Sequence, residues 1–187
     1  MARIPESIRA ARAAWDRPGR PKPDPTTIVS PGPGQESVWD FPRPPRLESW
    51  PERVKVEFGG RAIADTTSAL RVLETSHPPT YYLPSADVDM DALRPAGGGS
   101  MCEWKGAATY FDVVVGDAVA RRAGWTYPDP FEDFSRVAGH LAFYCAAMGA
   151  CWVGGHRAEP QPGGFYGGWV TPHVTGPFKG VPGSAGW

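Results

Sequence analysis

The chain has 187 residues, 23 glycines, 22 prolines and a formal net charge of −1. This length suits one ordinary domain, and a nearly neutral chain lacks the excess of cations that non-specific nucleic-acid binding requires. Its 3 cysteines form no disulfide framework, and no apolar run reaches the roughly 20 residues of a membrane helix. The amino terminus has no secretory apolar stretch. We therefore expect a soluble cytoplasmic protein that binds neither nucleic acid nor membrane.

Residues 1–35 are predicted to be an extension that ends in a linker. Residues 1–17 favour a short helix, either frayed or docked on a partner or membrane. The prolines of residues 18–33 favour a mobile, extended segment. The helix depends on apolar side chains at helical spacing, which are Ile4, Ile8, Ala11 and Trp15.

The remaining chain divides into a docked arm at 36–51, a β-rich core at 52–158 and a tail at 159–187 that wraps the core. The arm and the tail carry large rings between many prolines and glycines. An exposed ring forgoes roughly 1.5–3 kcal/mol of burial, so we expect these rings to be inserted in the domain. They are Trp39, Phe41, Phe165 and Trp169.

Three tight turns predict an antiparallel architecture. Val54–Phe58 alternates apolar and polar side chains, as a half-buried strand does, and Gly59 and Gly60 then permit a tight hairpin turn. The same arrangement recurs around Gly116-Asp117 and around Gly154-Gly155. The fold is therefore predicted to be mainly β.

The segments between the hairpins predict further strands and one helix. Strands are expected at 70–74 and 80–83 around a proline turn, and at about 103–115 after a flexible loop at 96–100. Asp129-Pro130 is typical of a helix start and is followed by apolar residues at helical spacing. This pattern predicts one well-signalled α-helix near 130–147.

The chain lacks the sequence motifs of several nucleotide-binding and catalytic sites. The glycines of 163–168 form neither G-x-G-x-x-G nor a P-loop, and no G-x-S-x-G elbow is present. Gly99-Ser100 follows the alternating acids Asp87, Asp89 and Asp91, whereas nucleotidyltransferases place Gly-Ser before their paired aspartates. A strand would put these three acids on one face, where they would form either an oxygen-ligand site or, as we favour, a solvated edge.

Cysteine and histidine spacing gives no zinc site. The chain has no closely paired cysteines or histidines of the kind that hold zinc, so we expect no metal, no other cofactor and folding without zinc. Cys102 lies near Lys105, and a nearby cation lowers the pKa of a thiol. Both an activated thiol and a buried structural cysteine remain open for Cys102.

One group of polar and aromatic residues predicts a binding pocket. Glu74 is the candidate general base and Lys105 the candidate partner for an anion or oxyanion, although the catalytic residues themselves stay unknown. Strand parity puts Lys105 and Tyr110 on opposite faces, so sharing a pocket requires a bulge or sharp twist at Gly106. The candidate binding residues are Glu74, His77, Tyr82, Lys105, Tyr110, Trp125 and Tyr127.

Five segments carry a resemblance to a known family: Val54–Asp65 (VKVEFGGRAIAD), Arg71–Pro84 (RVLETSHPPTYYLP), Cys102–Val114 (CEWKGAATYFDVV), Trp125–Pro130 (WTYPDP) and Gly139–Tyr144 (GHLAFY). On these segments, residues 36–187 resemble the bacterial family called domain of unknown function 427, and residues 1–34 lie outside the resemblance. It implies a β-tent fold, in which two antiparallel sheets meet at an angle. Relatives of that fold often carry zinc on two Cys-x-x-Cys knuckles, which this chain lacks. The family also carries a loose nucleotidyltransferase label that the motifs here do not support, and it supplies no catalytic residue to carry over.

These observations lead to two functional hypotheses. The first is a domain that binds an unknown small molecule, with acid–base catalysis as its extension. The second is a non-catalytic module for protein–protein interaction or assembly, mediated by Trp39 and the aromatic tail. A closed aromatic pocket favours the first hypothesis and a flat, filled surface favours the second. The formation of a homo-oligomer stays open.

Overall fold

The computed structural model describes residues 3–16 and 21–187. Most of its regular structure is β, which confirms the predicted fold class. The largest element is a seven-stranded antiparallel sheet in the order β2-β5-β6-β10-β9-β8-β7. Its strands are β2 (Arg46–Trp50), β5 (Ala69–Leu73), β6 (Thr80–Pro84), β7 (Leu93–Cys102), β8 (Gly106–Val115), β9 (Ala118–Thr126) and β10 (His140–Phe143).

A second antiparallel sheet has four strands in the order β12-β11-β3-β4. These strands are β3 (Val54–Phe58), β4 (Arg61–Thr66), β11 (Ala150–Val153) and β12 (His156–Arg157). Two short ribbons lie outside these sheets: a parallel pair of β1 (Glu36–Ser37) in the arm with β15 (Val174–Thr175) in the tail, and an antiparallel pair within the tail of β13 (Glu159–Pro160) with β14 (Trp169–Val170).

The helical elements are short. The α-helix α1 (Glu6–Ala13) lies within the segment predicted to be helical. The remaining turns are 3-10 helices at Ala14–Asp16, Pro25–Thr27, Ser85–Asp87, Met90–Ala92, Glu132–Val137 and Cys145–Ala147.

All three predicted hairpins are present. Each has a two-residue turn, because Phe58 pairs with Arg61, Val115 with Ala118 and Val153 with His156. The first glycine of each turn has a φ of 55–57°. Positive φ at this position matches the twist of the strands that the turn connects.

The seven-stranded sheet has a hydrophobic core on each face. Neighbouring residues of β6 show this, since Tyr81 packs in the core shared with Val56 and Ile63 of the four-stranded sheet. Tyr82 belongs to a second core with Trp125. Adjacent side chains of a strand point to opposite faces, so the second core covers the face turned away from the four-stranded sheet.

The predicted α-helix near 130–147 is wrong. Glu132–Val137 is a 3-10 helix with a kink at Phe134, Gly139 has a φ of +71°, and the next four residues form β10. Phe131, Phe134 and Val137 recur every three residues, which is the period of a 3-10 helix. Beyond Gly139 the chain gains a hydrogen-bond ladder between β6 and β9, which overrides the helical pattern.

Two other local predictions also need correction. The expected flexible loop at 96–100 lies inside β7, where the pairing with β8 shifts between Ala96 and Gly99. Gly98, with a φ of +77°, accommodates this bulge. The expected strand at 103–115 begins only at Gly106.

The three alternating acids do not share a strand face. Asp87 ends one 3-10 turn and accepts a hydrogen bond of 2.6 Å from the Thr66 hydroxyl. Asp89 pairs with Arg61 instead. Within residues 3–16 and 21–187, no group of three or more His, Cys, Asp or Glu side chains could hold a metal ion.

The segment predicted to be a mobile linker has a defined path in the residues that can be described. Asp24 caps the 3-10 turn Pro25–Thr27. The backbone amide of Val29 donates to the Gly176 carbonyl at 3.0 Å, and the Thr175 hydroxyl donates to the Val29 carbonyl at 2.8 Å. Residues 18–20 of that prediction, and residues 1–2 and 17 of the predicted helix, lie outside the described part of the chain.

Candidate functional site

A cavity of about 440 Å³ lies over the second core of the seven-stranded sheet. Strands β5, β6, β8 and β9, the turn between β7 and β8 and the tail loop at 161–167 all contribute to its wall. This volume lies in the range of roughly 300–1,000 Å³ that is usual for small-molecule pockets.

The structure brings the seven predicted binding residues around this one cavity, together with others that the sequence does not single out. The predicted residues are Glu74, His77, Tyr82, Lys105, Tyr110, Trp125 and Tyr127. The additional lining residues include Trp15, Trp104, Tyr144, Gln161, Tyr166 and Lys179. Trp15 and the tail residues reach the cavity from distant parts of the chain.

Three strands set the aromatic wall of the cavity. Tyr110 on β8 lies directly across from Trp125 on β9. Ala142 on β10, the strand between β6 and β9, pairs with Trp125 and has only a methyl side chain. The rings of Tyr82 and Trp125 can therefore meet above it, with centroids 6.4 Å apart at 87°. Tyr144 packs 4.5 Å from Trp125 on the same wall.

Lys105 lies in the turn before β8, so strand parity does not apply to it. Gly106 has a φ of +104°, which turns the chain into the strand without the bulge that was expected there. The Lys105 side chain is buried, and Nζ lies 5.9 Å from the centre of the Tyr127 ring and 5.5 Å from that of Phe134. The site thus holds an amine among aromatic rings.

The Lys105 amine stays protonated at neutral pH. Burial by itself would lower its pKa, but the acidic groups around the amine, of which Glu74 is the carboxylate, raise the pKa of Lys105 above its ordinary value. Burial also raises the pKa of Tyr82 and of Tyr127. These phenols therefore face the ammonium as neutral hydroxyl groups.

The Glu74 carboxylate has its own cationic partner. Arg43 Nε lies 3.1 Å from Glu74 Oε1, and the same guanidinium donates to the Thr75 carbonyl at 2.8 Å. Glu74 and Lys105 both line the cavity, but no ion pair within 4 Å joins them among the described residues. The charge of Glu74 acts on the Lys105 amine without direct contact. Arg43 holds the Glu74 carboxylate in place.

His77 is a neutral side chain in cationic surroundings. Burial, followed by the charges of Arg43 and Lys179, lowers the pKa of His77 to about 3. Gln161 Nε2 donates to His77 Nδ1 at 2.9 Å, which assigns the ring proton to Nε2. His77 therefore does not accept a proton at neutral pH.

Apolar side chains are exposed around the cavity mouth. Met101 and Phe165 both line the cavity, and they are 55% and 76% exposed. The prediction that Phe165 is inserted in the domain is wrong, because Gly163 and Gly164, both with positive φ, turn the loop outward. Trp169, a few residues later, is fully buried.

Residues 46–154 match the family described as domain of unknown function (DUF427). This match spans more than half of the chain. The chain belongs to the DUF427 family. The match is shorter than the resemblance over 36–187, and it leaves Trp15, Arg43 and the tail loop of the cavity outside the family region. No curated protein matches the chain. Across residues 3–16 and 21–187, no helix is long and apolar enough to cross a membrane.

Proposed function

We propose that this DUF427 domain binds a small organic molecule in the aromatic cavity. The observation that carries the proposal is the cavity of about 440 Å³, in which aromatic rings surround a few convergent polar groups. This combination of apolar walls with a small number of placed polar groups is the usual composition of a ligand site.

Acid–base catalysis is a weaker form of the same proposal. Glu74 would serve as the base, but its Oε1 already contacts Arg43 Nε at 3.1 Å and is held by that guanidinium. His77 does not replace it, because its Nδ1 already accepts a hydrogen bond from Gln161. Binding without proton transfer is therefore the function that this geometry supports best.

The alternative of an interaction module has one observation in its favour. Phe165 is 76% exposed and Met101 is 55% exposed at the same rim, and exposed apolar side chains that cluster often mark contact surfaces. Binding of small molecules inside the cavity separates the two hypotheses, because a protein partner would cover the rim and leave the interior unchanged.

A thermal-shift screen with small aromatic compounds tests the proposal. A ligand at about 100 times its Kd stabilises a fold by about 2.7 kcal/mol, which for a chain of this size raises the Tm by about 5–10 °C. Thr80 lines the cavity on the same face of β6 as Tyr82, so Thr80→Phe should fill the cavity and abolish the shift.

The matched control places the same ring elsewhere. Val119 on β9 is 42% exposed and does not line the cavity, so Val119→Phe should keep the full ligand-induced shift. The proposal is overturned if no compound stabilises the wild-type protein, or if the two variants respond equally.

A further inference from the structure

Among the described residues, four charged side chains line the cavity, and three of them have partners. Glu74 pairs with Arg43 at 3.1 Å. Glu103 Oε1 accepts a hydrogen bond of 3.1 Å from the Trp15 indole, and Lys179 Nζ donates to the Trp187 carbonyl at 2.7 Å. The fourth is Lys105.

Lys105 has no comparable partner. In the described part of the chain its ammonium makes no ion pair, and the Cys102 thiol is among the groups beside it. The side chain is only 8% exposed, and the rings of Tyr127 and Phe134 face the amine. A buried charge is costly unless it is paired, and the faces of two rings compensate only part of that cost.

A carboxylate on the ligand would supply the missing counter-ion. A hydrogen bond between an ammonium and a carboxylate is roughly twice as strong as a neutral one, and burial would keep it from being screened. The rest of the cavity wall consists of the aromatic rings of Tyr82, Trp125 and Tyr144. A flat apolar group of a ligand can pack against these rings.

The charged side chains that line the cavity limit the net charge that a ligand can carry. Lys105 offers one ammonium that donates to no oxygen of the described residues, and this ammonium matches one negative charge. A phosphate with two negative charges would bring the second one near the carboxylates of Glu74 and Glu103, which line the same cavity, and repulsion between like charges would oppose binding.

We infer that the cavity takes a flat aromatic monoanion, whose carboxylate pairs with Lys105 and whose ring packs against Tyr82, Trp125 and Tyr144. The inference rests on the proposed binding function and adds the chemical class of the ligand. It makes Lys105 the residue that selects an acid over neutral or cationic molecules of the same shape.

Three probes of the same shape test this inference: naphthalene-2-carboxylate, its neutral amide and naphthalen-2-ylmethylammonium. Calorimetric titration of the wild-type protein at pH 7 should give a Kd for the acid at least about tenfold lower than that for the amide. The cationic probe should bind more weakly than the amide. This order is measured on the unmodified chain and needs no variant.

The variant Lys105→Met tests whether the Lys105 amine causes the preference for the acid over the amide. Methionine keeps the length and apolar stem of lysine, so the amide should bind this variant as it binds the wild type, within about twofold, while the tenfold preference for the acid disappears. The matched control is Lys55→Met in the four-stranded sheet, whose amine pairs with Glu57 at 2.5 Å. This variant should retain the preference.

The outcomes separate the inference from the function on which it rests. Equal affinities of the wild type for acid and amide, both lost in Thr80→Phe, would overturn the anion specificity and leave the binding function standing. Retention of the acid preference in Lys105→Met would also overturn the role of Lys105. Failure of all three probes to bind would count against the binding function itself.

Discussion

His77 shows how one side chain of the cavity is held in a single protonation state. Its ring accepts a hydrogen bond from Gln161, packs 4.6 Å from the Tyr166 ring and lies near the cations Arg43 and Lys179. A positive charge on the imidazole would be both desolvated and repelled. The residue therefore acts as a neutral connection between the proline turn after β5 and the tail.

The low pKa of His77 predicts a loss of stability in acid. The unfolded chain protonates this imidazole near pH 6.5, whereas the folded chain resists protonation down to about pH 3. The contribution of His77 is therefore fully present above pH 6.5 and is lost as the pH falls towards 3. Urea unfolding between pH 6.5 and 4.5 should show a loss of up to about 2 kcal/mol from this residue.

A His77→Gln variant isolates this contribution. Glutamine offers an oxygen to Gln161 and does not titrate, so the free energy of unfolding of the variant should fall less over the same pH range. Parallel pH profiles for the two proteins would show that His77 is protonated with its ordinary pKa in the folded state.

At the scale of elements, the amino-terminal helix completes the cavity without burying an apolar face. α1 has no buried residue, and its attachment depends on Arg12 and Trp15. Arg12 donates to the carbonyls of Glu103 and Trp104 at 2.7 and 3.1 Å. The Arg43 guanidinium lies 4.4 Å from the centre of the Trp15 ring, so the helix also covers the cation that holds Glu74.

Arg12→Ala should detach this element. Hydrogen bonds from a charged donor contribute about 1.5–3 kcal/mol each, so the loss of the two to these carbonyls should lower the Tm by about 6 °C or more. It should also weaken the binding of an aromatic probe, because Trp15 is part of the cavity wall. Calorimetry of the variant measures both effects.

Arg9→Ala is the control for the same helix. Arg9 is exposed and, among the described residues, contacts Glu6 and the Ile4 carbonyl, so its loss should change neither the Tm nor the affinity for the probe appreciably. An equal effect of the two substitutions would mean that helix propensity, and not docking through Arg12, governs the result.

Local patterns predicted some of these elements and failed for others. The hairpins follow from alternation and turn glycines, both of which are local. The apolar residues after Pro130 are so few that their spacing fits a period of three as well as the 3.6 of an α-helix. The pairing of β10 with β6 and β9 then excludes a continuous helix over this segment. Tyr82, Tyr110 and Trp125 could be grouped because they lie on predicted strands. The contribution of Trp15 depends on packing across the whole chain, which no local pattern reveals.

At the scale of the whole molecule, the arm and the tail are built into the fold. β1 of the arm pairs in parallel with β15 of the tail, and β14 begins with the fully buried Trp169. The Trp169 indole donates to the Phe143 carbonyl at 2.9 Å, and its ring lies 5.4 Å from that of Tyr81. The tail, although outside the matched family region, thus packs into the core between the two large sheets.

This packing predicts that the tail and the sheets unfold as one unit. Trp169→Phe removes the indole N–H and leaves a cavity, so it should destabilise the fold by about 2–4 kcal/mol. Circular dichroism and tryptophan fluorescence should report a single coincident urea transition for the wild type, shifted to lower urea with an unchanged slope in the variant. The control is Trp187→Phe, because the Trp187 ring packs edge-on against Trp39. This substitution should shift the urea transition far less. Separate transitions for the two probes, or equal shifts for the two substitutions, would mean that the tail is an independent covering and not part of the cooperative core.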